Sequence, residues 1–168
     1  MPIDVLIVRD PRESVKKCSL TPLRGLEGIR FVNYHPERRV SAGRRLLLHP
    51  DGPELRPEDA GLPLLLIDCA WRRVPQLLGT IDGELVHRRL PRLSTAYPRK
   101  STIFEDPASG LASVEALYAA LALLGDPRPQ ILRGYRWREA FFALNPVLAR
   151  FQQHEQEQRL HGEDPDVA

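Results

Sequence analysis

The chain has 168 residues, of which 42% are hydrophobic and 27% charged, and its formal net charge is +2. This composition predicts a single domain with a buried core and excludes wholesale disorder. No apolar run approaches the ~20 residues that a membrane helix needs. Two cysteines, Cys18 and Cys69, are too few for a disulfide scaffold or a four-thiolate zinc site. We therefore expect a cytoplasmic protein with no membrane segment and no metal.

Short apolar runs separated by turn residues fill the first half of the chain. Strands are predicted at 3–8, 31–34, 45–49 and 63–68, where aliphatic and β-branched residues cluster. The third strand ends in a Pro-Asp-Gly turn, and 57–59 leaves room for one helical turn. We expect a turn at 80–83 and a strand end at 88–93, which Pro91 would confine to an edge.

The second half is predicted to contain a long loop followed by helices. Residues 94–110 form the loop, and long ordered loops are often functional. Apolar residues then recur at three- and four-residue intervals between 111 and 124, which predicts a helix that ends at Gly125. Further helix is expected at 131–132 and at 137–151, with an interruption near Pro146. The alternation of strands and helices indicates an α/β fold.

Several common kinds of active site find no support in the sequence. Neither G-x-G-x-x-G nor G-x-x-x-x-G-K-[ST] occurs, so Rossmann and P-loop nucleotide sites are not indicated. The five histidines show no H-E-x-x-H pair or other metal spacing. A cysteine hydrolase centred on Cys69, with His49 or His87 as its base, has no specific support from the spacing.

Unusual residues stand where the predicted strands end. The aliphatic run 64–67 leads directly into Asp68, Cys69 and Trp71, and Leu48 leads into His49 and Pro50. Because ligands of open α/β sheets bind at the carboxyl ends of strands, these residues favour a pocket for a flat heteroaromatic ligand such as an adenosine. Alternatively, Trp71 anchors the core and Asp68 caps a helix. The residues alone leave both interpretations open.

Six short motifs occur in an order that resembles a known family. They are Lys17-Cys18-Ser19, Leu48-His49-Pro50, Asp68-Cys69-Ala70-Trp71, Arg89-Leu90-Pro91, Ser113-Val114-Glu115-Ala116-Leu117, and Trp137 with Phe141, Phe142, Leu144 and Asn145. Their order, over residues 3–151, resembles that of the Tsr3-type aminocarboxypropyltransferases, which share a superfamily with DTW-domain tRNA-modifying proteins.

The resemblance implies a SPOUT-like α/β fold, a sheet flanked by helices with a trefoil knot near the C-terminus. Ordinary folds are essentially free of knots, so no sequence pattern by itself predicts one. Residues 1–60 would form an N-terminal α/β part and 61–151 the cofactor-binding part. Residues 152–168 are polar and are expected to be disordered.

The resemblance also implies S-adenosylmethionine as the cofactor. Leu48, Pro50 and Trp71 would enclose the adenine on one side, and Leu93 and Leu111 on the other. The backbone at Ile67 and Asp68 would meet the ribose, while Ser19, Thr21 and the loop around Tyr97 would meet the amino-acid tail. The implied catalytic residues are Trp71, an indole beside the sulfonium cation, and Asp68, either a general base or a residue that orders the turn.

The implied activity is transfer of the 3-amino-3-carboxypropyl (acp) group to a uridine or pseudouridine in ribosomal RNA. Arg72, Arg73, Arg88, Arg89, Arg99 and Lys100 flank the strand ends and are predicted to contact RNA phosphates. The segment from Thr95 to Lys100 departs from the family's Asn-Pro-Val-Asn-Tyr-Gly-like loop. Transfer to tRNA, a SPOUT-type RNA methyltransferase and a non-catalytic RNA-binding assembly factor therefore remain alternatives. We expect a monomer whose partner is RNA.

Overall fold

A five-stranded parallel sheet forms the centre of the computed structural model, which describes residues 2–13, 18–98 and 110–152. Its strands are β1 (Val5–Arg9), β2 (Ile29–Asn33), β3 (Val40–Leu48), β4 (Leu64–Asp68) and β5 (Ile81–Arg88). They lie in the order β2-β1-β4-β3-β5, and every neighbouring pair is parallel. The carboxyl ends of all five strands therefore lie along one edge of the sheet.

The helices are α1 (Val74–Leu78), α2 (Ser113–Leu123) and α3 (Arg138–Leu144), and residues 146–152 are also helical. Short 3₁₀ turns occupy Thr21–Leu23, Pro57–Gly61, Trp71–Arg73 and Pro129–Ile131. The predicted stop at Gly125 is confirmed, since this glycine has a φ of 89° just after α2. In the part of the chain that the structure describes, no helix has the length and apolar content to span a bilayer. Residues 153–168 of the predicted polar tail lie outside this part.

Both faces of the sheet are covered, which explains why its central strands are continuous apolar runs. Val5 and Ile7 of β1 point into a large apolar cluster that includes residues of α2 and α3. Leu6 and Val8 point the other way, into a smaller cluster that includes Leu77 of α1. The residues of β1 that face α2 therefore have odd numbers, and this face also holds the last residue of the strand, Arg9.

The predicted strands are confirmed with shifted bounds, but the turn predicted at 80–83 is wrong because β5 begins at Ile81. Gly83 stays in the strand opposite Gly43 of β3, where the register shifts. The expected SPOUT-like fold with a trefoil knot is also corrected: the structure is an α/β fold with a parallel sheet flanked by helices, and the described residues show no knot. The C-terminal helices α2 and α3 pack on one face of the sheet. The expectation of a knot had no basis other than the family resemblance.

The strand order creates a crevice at the carboxyl ends of β1 and β4. The strand that follows β1 in the chain, β2, lies on one side of the β1–β4 pair, and the strand that follows β4, β5, lies on the other side. The neighbouring strands β1 and β4 therefore form a topological switch point. The register sets Arg9 of β1 opposite Asn33 of β2 on one side and Asp68 of β4 on the other. Three polar residues thus form a row across the end of the sheet.

The Gly43–Gly83 approach gives a test of the sheet. A Cβ on Gly83, whose φ is 152°, would lie 2.2 Å from the Gly43 carbonyl oxygen. We predict that Gly83→Ala lowers the free energy of unfolding by about 1–3 kcal/mol or more, because both the backbone angle and the contact oppose a side chain. Calorimetry measures the loss, with Gly61→Ala as the control, since a Cβ there meets nothing within 4 Å. Equal melting temperatures for the two variants would contradict the prediction.

Candidate functional site

A buried ion pair closes the bottom of the crevice. The Arg9 Nε donates to the Asp68 Oδ2 at 3.2 Å, and the two side chains are only 2% and 9% exposed. Each residue ends its strand, and the parallel register sets them opposite one another. Because a buried charge is costly unless it is paired and hydrogen-bonded, each residue requires the other at this position.

The Asp68 carboxylate accepts two further hydrogen bonds. The Cys18 thiol donates to Oδ2 at 3.0 Å, and the Ser113 hydroxyl donates to Oδ1 at 3.3 Å. Burial and then the nearby Asp68 carboxylate raise the pKa of Cys18, so its thiol stays protonated and acts as a donor. Asp68 therefore joins β1, β4, the segment after β1 and the start of α2.

One hydrogen-bonding group of Arg9 has no partner among the described residues. One terminal nitrogen donates to the Thr21 hydroxyl at 2.8 Å, and the guanidinium lies 5.6 Å from the centre of the Phe31 ring. The other terminal nitrogen, Nη1, is buried and has no partner among the described residues. A buried donor without an acceptor is costly, so this nitrogen suits an oxygen atom supplied by a ligand.

The first turn of α2 is fixed to the crevice by Ser19. The Ser19 hydroxyl oxygen accepts a hydrogen bond from the Val114 backbone N–H at 3.1 Å, one of the donors that a helix N-terminus leaves free. Together with the bond from Ser113 to Asp68, this contact holds the positive end of the helix dipole at the strand ends. The electrostatic environment there favours negative charge.

Glu115 fixes the described part of the long loop. This residue is fully buried, and its carboxylate accepts hydrogen bonds from the Thr95 hydroxyl at 2.6 Å and the Ala96 N–H at 2.9 Å. It also accepts from the Ala112 N–H at 2.8 Å, just before α2. The carboxylate therefore ties the loop to the start of the helix that borders the crevice.

Asn145 holds the same loop from the other side. Its Oδ1 accepts from the Ser94 N–H and its Nδ2 donates to the Ser94 carbonyl, both at 2.8 Å. Farther along the loop, the Tyr97 ring meets Trp137 edge-on, with ring centres 5.0 Å apart. The motifs around Glu115 and Asn145 thus hold the described first residues of this loop, Ser94 to Ala96.

Three of the five residues predicted to enclose an adenine lie on the α2 side of the sheet. Leu93 is buried, and Leu48 and Leu111 are half-buried against the same large cluster. Pro50 is half-buried just past the end of β3. The Ile67 side chain packs on the opposite face of the sheet, so it does not line the α2 side. The structure thus brings the three leucines to one apolar cluster, on the face that also holds Asp68.

Both parts of the structural interpretation of the end of β4, Trp71 as a core anchor and Asp68 as a helix cap, are wrong. Trp71 is 41% exposed, so it does not anchor the core and its indole is accessible. Asp68 caps no helix, because the residues that precede the turn at 71–73 and α1 are Ala70 and Arg73. Burial and the nearby Asp10 raise the pKa of Cys69 to about 12, which leaves this thiol unreactive as a nucleophile at neutral pH.

Three of the arginines predicted to contact RNA have carboxylate partners within the protein. Arg73 binds Asp10 through Nε, and Arg88 Nε lies 3.0 Å from Asp59 Oδ2. Arg89 lies 3.9 Å from Glu54 in an exposed pair. Arg72 is exposed and has no ion pair within the described ranges, and Arg99 and Lys100 lie outside them. The buried pairs at Arg73 and Arg88 order the ends of the strands.

Sequence reasoning missed the central role of Arg9 and the supporting roles of Ser113, Glu115 and Asn145. One signal was available for Arg9: it ends an apolar strand with a charge, as Asp68 does. The other three residues appeared only as members of motifs. Their partners are far away in the sequence, so no local pattern shows what they contact.

Comparison with known proteins links this geometry to RNA modification. The family model described as "Ribosome biogenesis protein, C-terminal" matches residues 47–164. A 16S rRNA aminocarboxypropyltransferase of Methanosphaera stadtmanae is 31% identical over 87 residues, which cover 51% of this chain and 48% of that protein. The chain thus spans about half the length of this curated relative.

One solved structure is similar over nearly the whole chain. It is described as the SAM-dependent rRNA:acp-transferase Tsr3 from Vulcanisaeta distributa. The two proteins are 29% identical and superpose with a TM-score of 0.68, and the match covers 98% of this chain and 91% of the other. The similarity therefore includes the strands and helices that form the crevice.

The ion pair in the crevice predicts strong coupling between its two members. We expect Arg9→Met and Asp68→Leu each to lower the free energy of unfolding by about 3–5 kcal/mol, because each leaves the other charge buried and unpaired. The double variant should be more stable than either single variant, as urea denaturation can measure.

The exposed pair of Arg39 and Asp82 is the matched control for this coupling. Its double-mutant cycle should give a far smaller coupling than the buried pair does, because water screens exposed charges. If the losses from Arg9→Met and Asp68→Leu simply add up in the double variant, the buried pair is not coupled and the interpretation fails.

The pair of Arg88 and Asp59 predicts a dependence of stability on pH. Burial opposes ionisation of Asp59, but the Arg56 N–H and the Arg88 guanidinium outweigh it and hold the pKa of Asp59 below its usual value. The ionised Asp59 carboxylate therefore stabilises the folded state fully above its unfolded-state pKa of about 3.9. This stabilisation is lost as the pH falls through the lower pKa that Asp59 has in the folded state.

We therefore predict that Asp59→Asn costs roughly 1.5–3 kcal/mol at neutral pH and progressively less as the pH falls below about 4. Urea denaturation at a series of pH values measures this difference. The control is Glu58→Gln, an exposed neighbour in the same turn, which should have little effect at any pH. A difference between Asp59→Asn and the parent protein that does not vary with pH would refute the assignment.

Proposed function

Because the chain belongs to the ribosome biogenesis family whose model it matches, we propose that it transfers the acp group of S-adenosylmethionine to a uridine or pseudouridine in ribosomal RNA. The observation that supports this most directly is the similarity to the rRNA:acp-transferase structure over 98% of the chain. It includes the switch point, where α/β proteins bind their ligands. The curated rRNA aminocarboxypropyltransferase supports the same reaction class.

The residues at the crevice fit S-adenosylmethionine in both charge and polarity. The buried Arg9 Nη1 has no acceptor in the part of the chain that the structure describes, and the α-carboxylate of the cofactor can provide one. Ser19 and Thr21 supply hydroxyls beside it. Leu48, Leu93 and Leu111 supply an apolar wall for the adenine. The cofactor, when bound, supplies the electrophilic carbon chain that the reaction transfers.

Trp71 and the loop around Tyr97 complete the proposed site. The exposed indole of Trp71 can lie against the sulfonium cation, an attraction that increases when water is excluded. The loop that contains Tyr97 is rigid because Glu115 and Asn145 hold it, so its backbone can position the amino-acid tail without further ordering. A site that is ordered in advance binds its ligand at a lower entropic cost.

We propose that Asp68 positions groups and does not serve as the general base. Its two oxygens already accept hydrogen bonds from Arg9, Cys18 and Ser113, and all three donors belong to the protein. Asp68 thereby orients the guanidinium that faces the cofactor tail. Most of the rate acceleration then comes from alignment of the two reactants, which can contribute about 7–11 kcal/mol.

The reaction is tested with S-adenosylmethionine labelled separately in the carboxyl and the methyl group. We predict that ribosomal RNA gains label only from the carboxyl-labelled cofactor. Label from the methyl group alone would show a methyltransferase, and label from neither, with no cofactor binding, would show a non-catalytic RNA-binding protein. Transfer RNA, assayed in parallel, distinguishes the two RNA classes.

Calorimetry with S-adenosylmethionine tests the role of Trp71. We expect Trp71→Ala to weaken cofactor binding several-fold in calorimetry, since a cation–π contact is worth about 0.5–2 kcal/mol. Leu144→Ala removes an exposed apolar side chain from α3 and serves as the control, with unchanged affinity. Unaltered cofactor affinity in Trp71→Ala would remove this residue from the proposed site.

A further inference from the structure

A groove runs along the edge of the sheet at β2, next to the crevice. It has a volume of about 410 Å³ and is lined by Arg24, Gly25, Ile29, Arg30, Phe31 and Asn33. This volume is typical of a ligand site. The groove contains none of the residues predicted from the sequence to bind the cofactor or RNA, so the proposed reaction leaves it without a role.

The two arginines of the groove are free to bind an anion. Arg24 and Arg30 are both exposed, and neither forms an ion pair within the part of the chain that the structure describes. Most other arginines of the sheet and the crevice do form an ion pair with a carboxylate. Those with a carboxylate partner are Arg9, Arg39, Arg44, Arg45, Arg73, Arg88, Arg89 and Arg128. Unpaired guanidinium groups that line one groove favour phosphate.

The groove also provides flat surfaces for a nucleobase. The half-buried Phe31 ring has the guanidinium of Arg24 at 5.5 Å and that of Arg9 at 5.6 Å from its centre. Unpaired bases in RNA stack on aromatic rings and on guanidinium planes. The exposed amide of Asn33 lies at the same place and can bind the polar edge of a base. The lining thus combines phosphate-binding and base-binding groups, as expected for single-stranded nucleic acid.

The groove leads directly to the crevice. Asn33, Arg9 and Asp68 are register partners across β2, β1 and β4. Since neighbouring strands lie about 4.8 Å apart, Asn33 is about 10 Å from Asp68. A strand of RNA in the groove can therefore be continuous with a nucleotide held at the crevice.

We infer that this groove binds the single-stranded RNA segment adjacent to the nucleotide that is modified, an inference that rests on the proposed function. Arg24 and Arg30 contact its phosphates, and Phe31 with Arg24 stacks one of its bases. The groove thereby sets which nucleotide reaches the crevice, while the buried Arg9 separates the RNA site from the cofactor site.

The test measures binding of a fluorescent single-stranded oligouridylate of about ten nucleotides over a range of salt concentrations. The double variant Arg24→Ala/Arg30→Ala should lose about tenfold or more in affinity at low salt. The slope of log K against log salt should become shallower by about 0.7 for each arginine removed. Phe31→Leu should weaken binding several-fold and leave the slope unchanged.

The matched control is Arg39→Ala/Arg44→Ala, which removes two exposed arginines that pair with Asp82 and Glu84. Its RNA affinity and salt slope should equal those of the parent protein. Calorimetry with S-adenosylmethionine should give the parent affinity for Arg24→Ala/Arg30→Ala, which excludes unfolding or damage to the crevice as the cause.

Two results would overturn the inference: a parent protein that does not bind the oligonucleotide at low salt, or a double variant that keeps the parent affinity and slope. The second result, together with intact acp transfer, would leave the proposed function standing and favour a protein partner for the groove. Conversely, loss of RNA binding in the groove variants without acp transfer by the parent protein would support the groove and reject the reaction.

Discussion

The requirement that a buried charge be paired explains most of the architecture at the crevice. Arg9 and Asp68 are the last residues of β1 and β4, and the sheet register sets them opposite each other below the protein surface. Once they are buried, their remaining donors and acceptors need partners as well. Thr21, Cys18 and Ser113 provide these partners. Segments that are distant in the sequence are thereby fixed around a single carboxylate, and one guanidinium nitrogen has no partner among the described residues.

The arginines of this chain divide into two groups with different tasks. In the sequence they form similar basic runs, and the net charge of +2 does not distinguish them. In the folded chain, Arg73 and Arg88 are neutralised by buried carboxylates and stabilise strand ends. Arg24 and Arg30 remain exposed in one groove, and Arg24 lies over the Phe31 ring. A polyanion gains little from arginines that already have partners, because it must compete with the internal carboxylate for them.

The supports of the long loop illustrate how short motifs acquire their meaning. Glu115 is completely buried in α2, a position that is costly for a carboxylate unless hydrogen bonds surround it. The loop backbone at Ala96 and the Thr95 hydroxyl provide those bonds. Asn145 satisfies both backbone groups of Ser94 in the same way. A loop held by buried polar groups is rigid, and rigidity is what a site that aligns two reactants requires.

The sequence by itself determined the α/β class, the approximate strands and the end of α2, because these follow from short-range periodicity and from turn residues. It also singled out the end of β4, where Asp68, Cys69 and Trp71 directly follow an aliphatic run, but it left a ligand site and a purely structural role both open. Only the tertiary structure decided that Arg9 pairs with Asp68, 59 residues away, and that Gly83 belongs to a strand opposite Gly43. It likewise showed helices on a parallel sheet where a knot had been expected. Register and burial arise from contacts between distant segments, and no local pattern of residues encodes them.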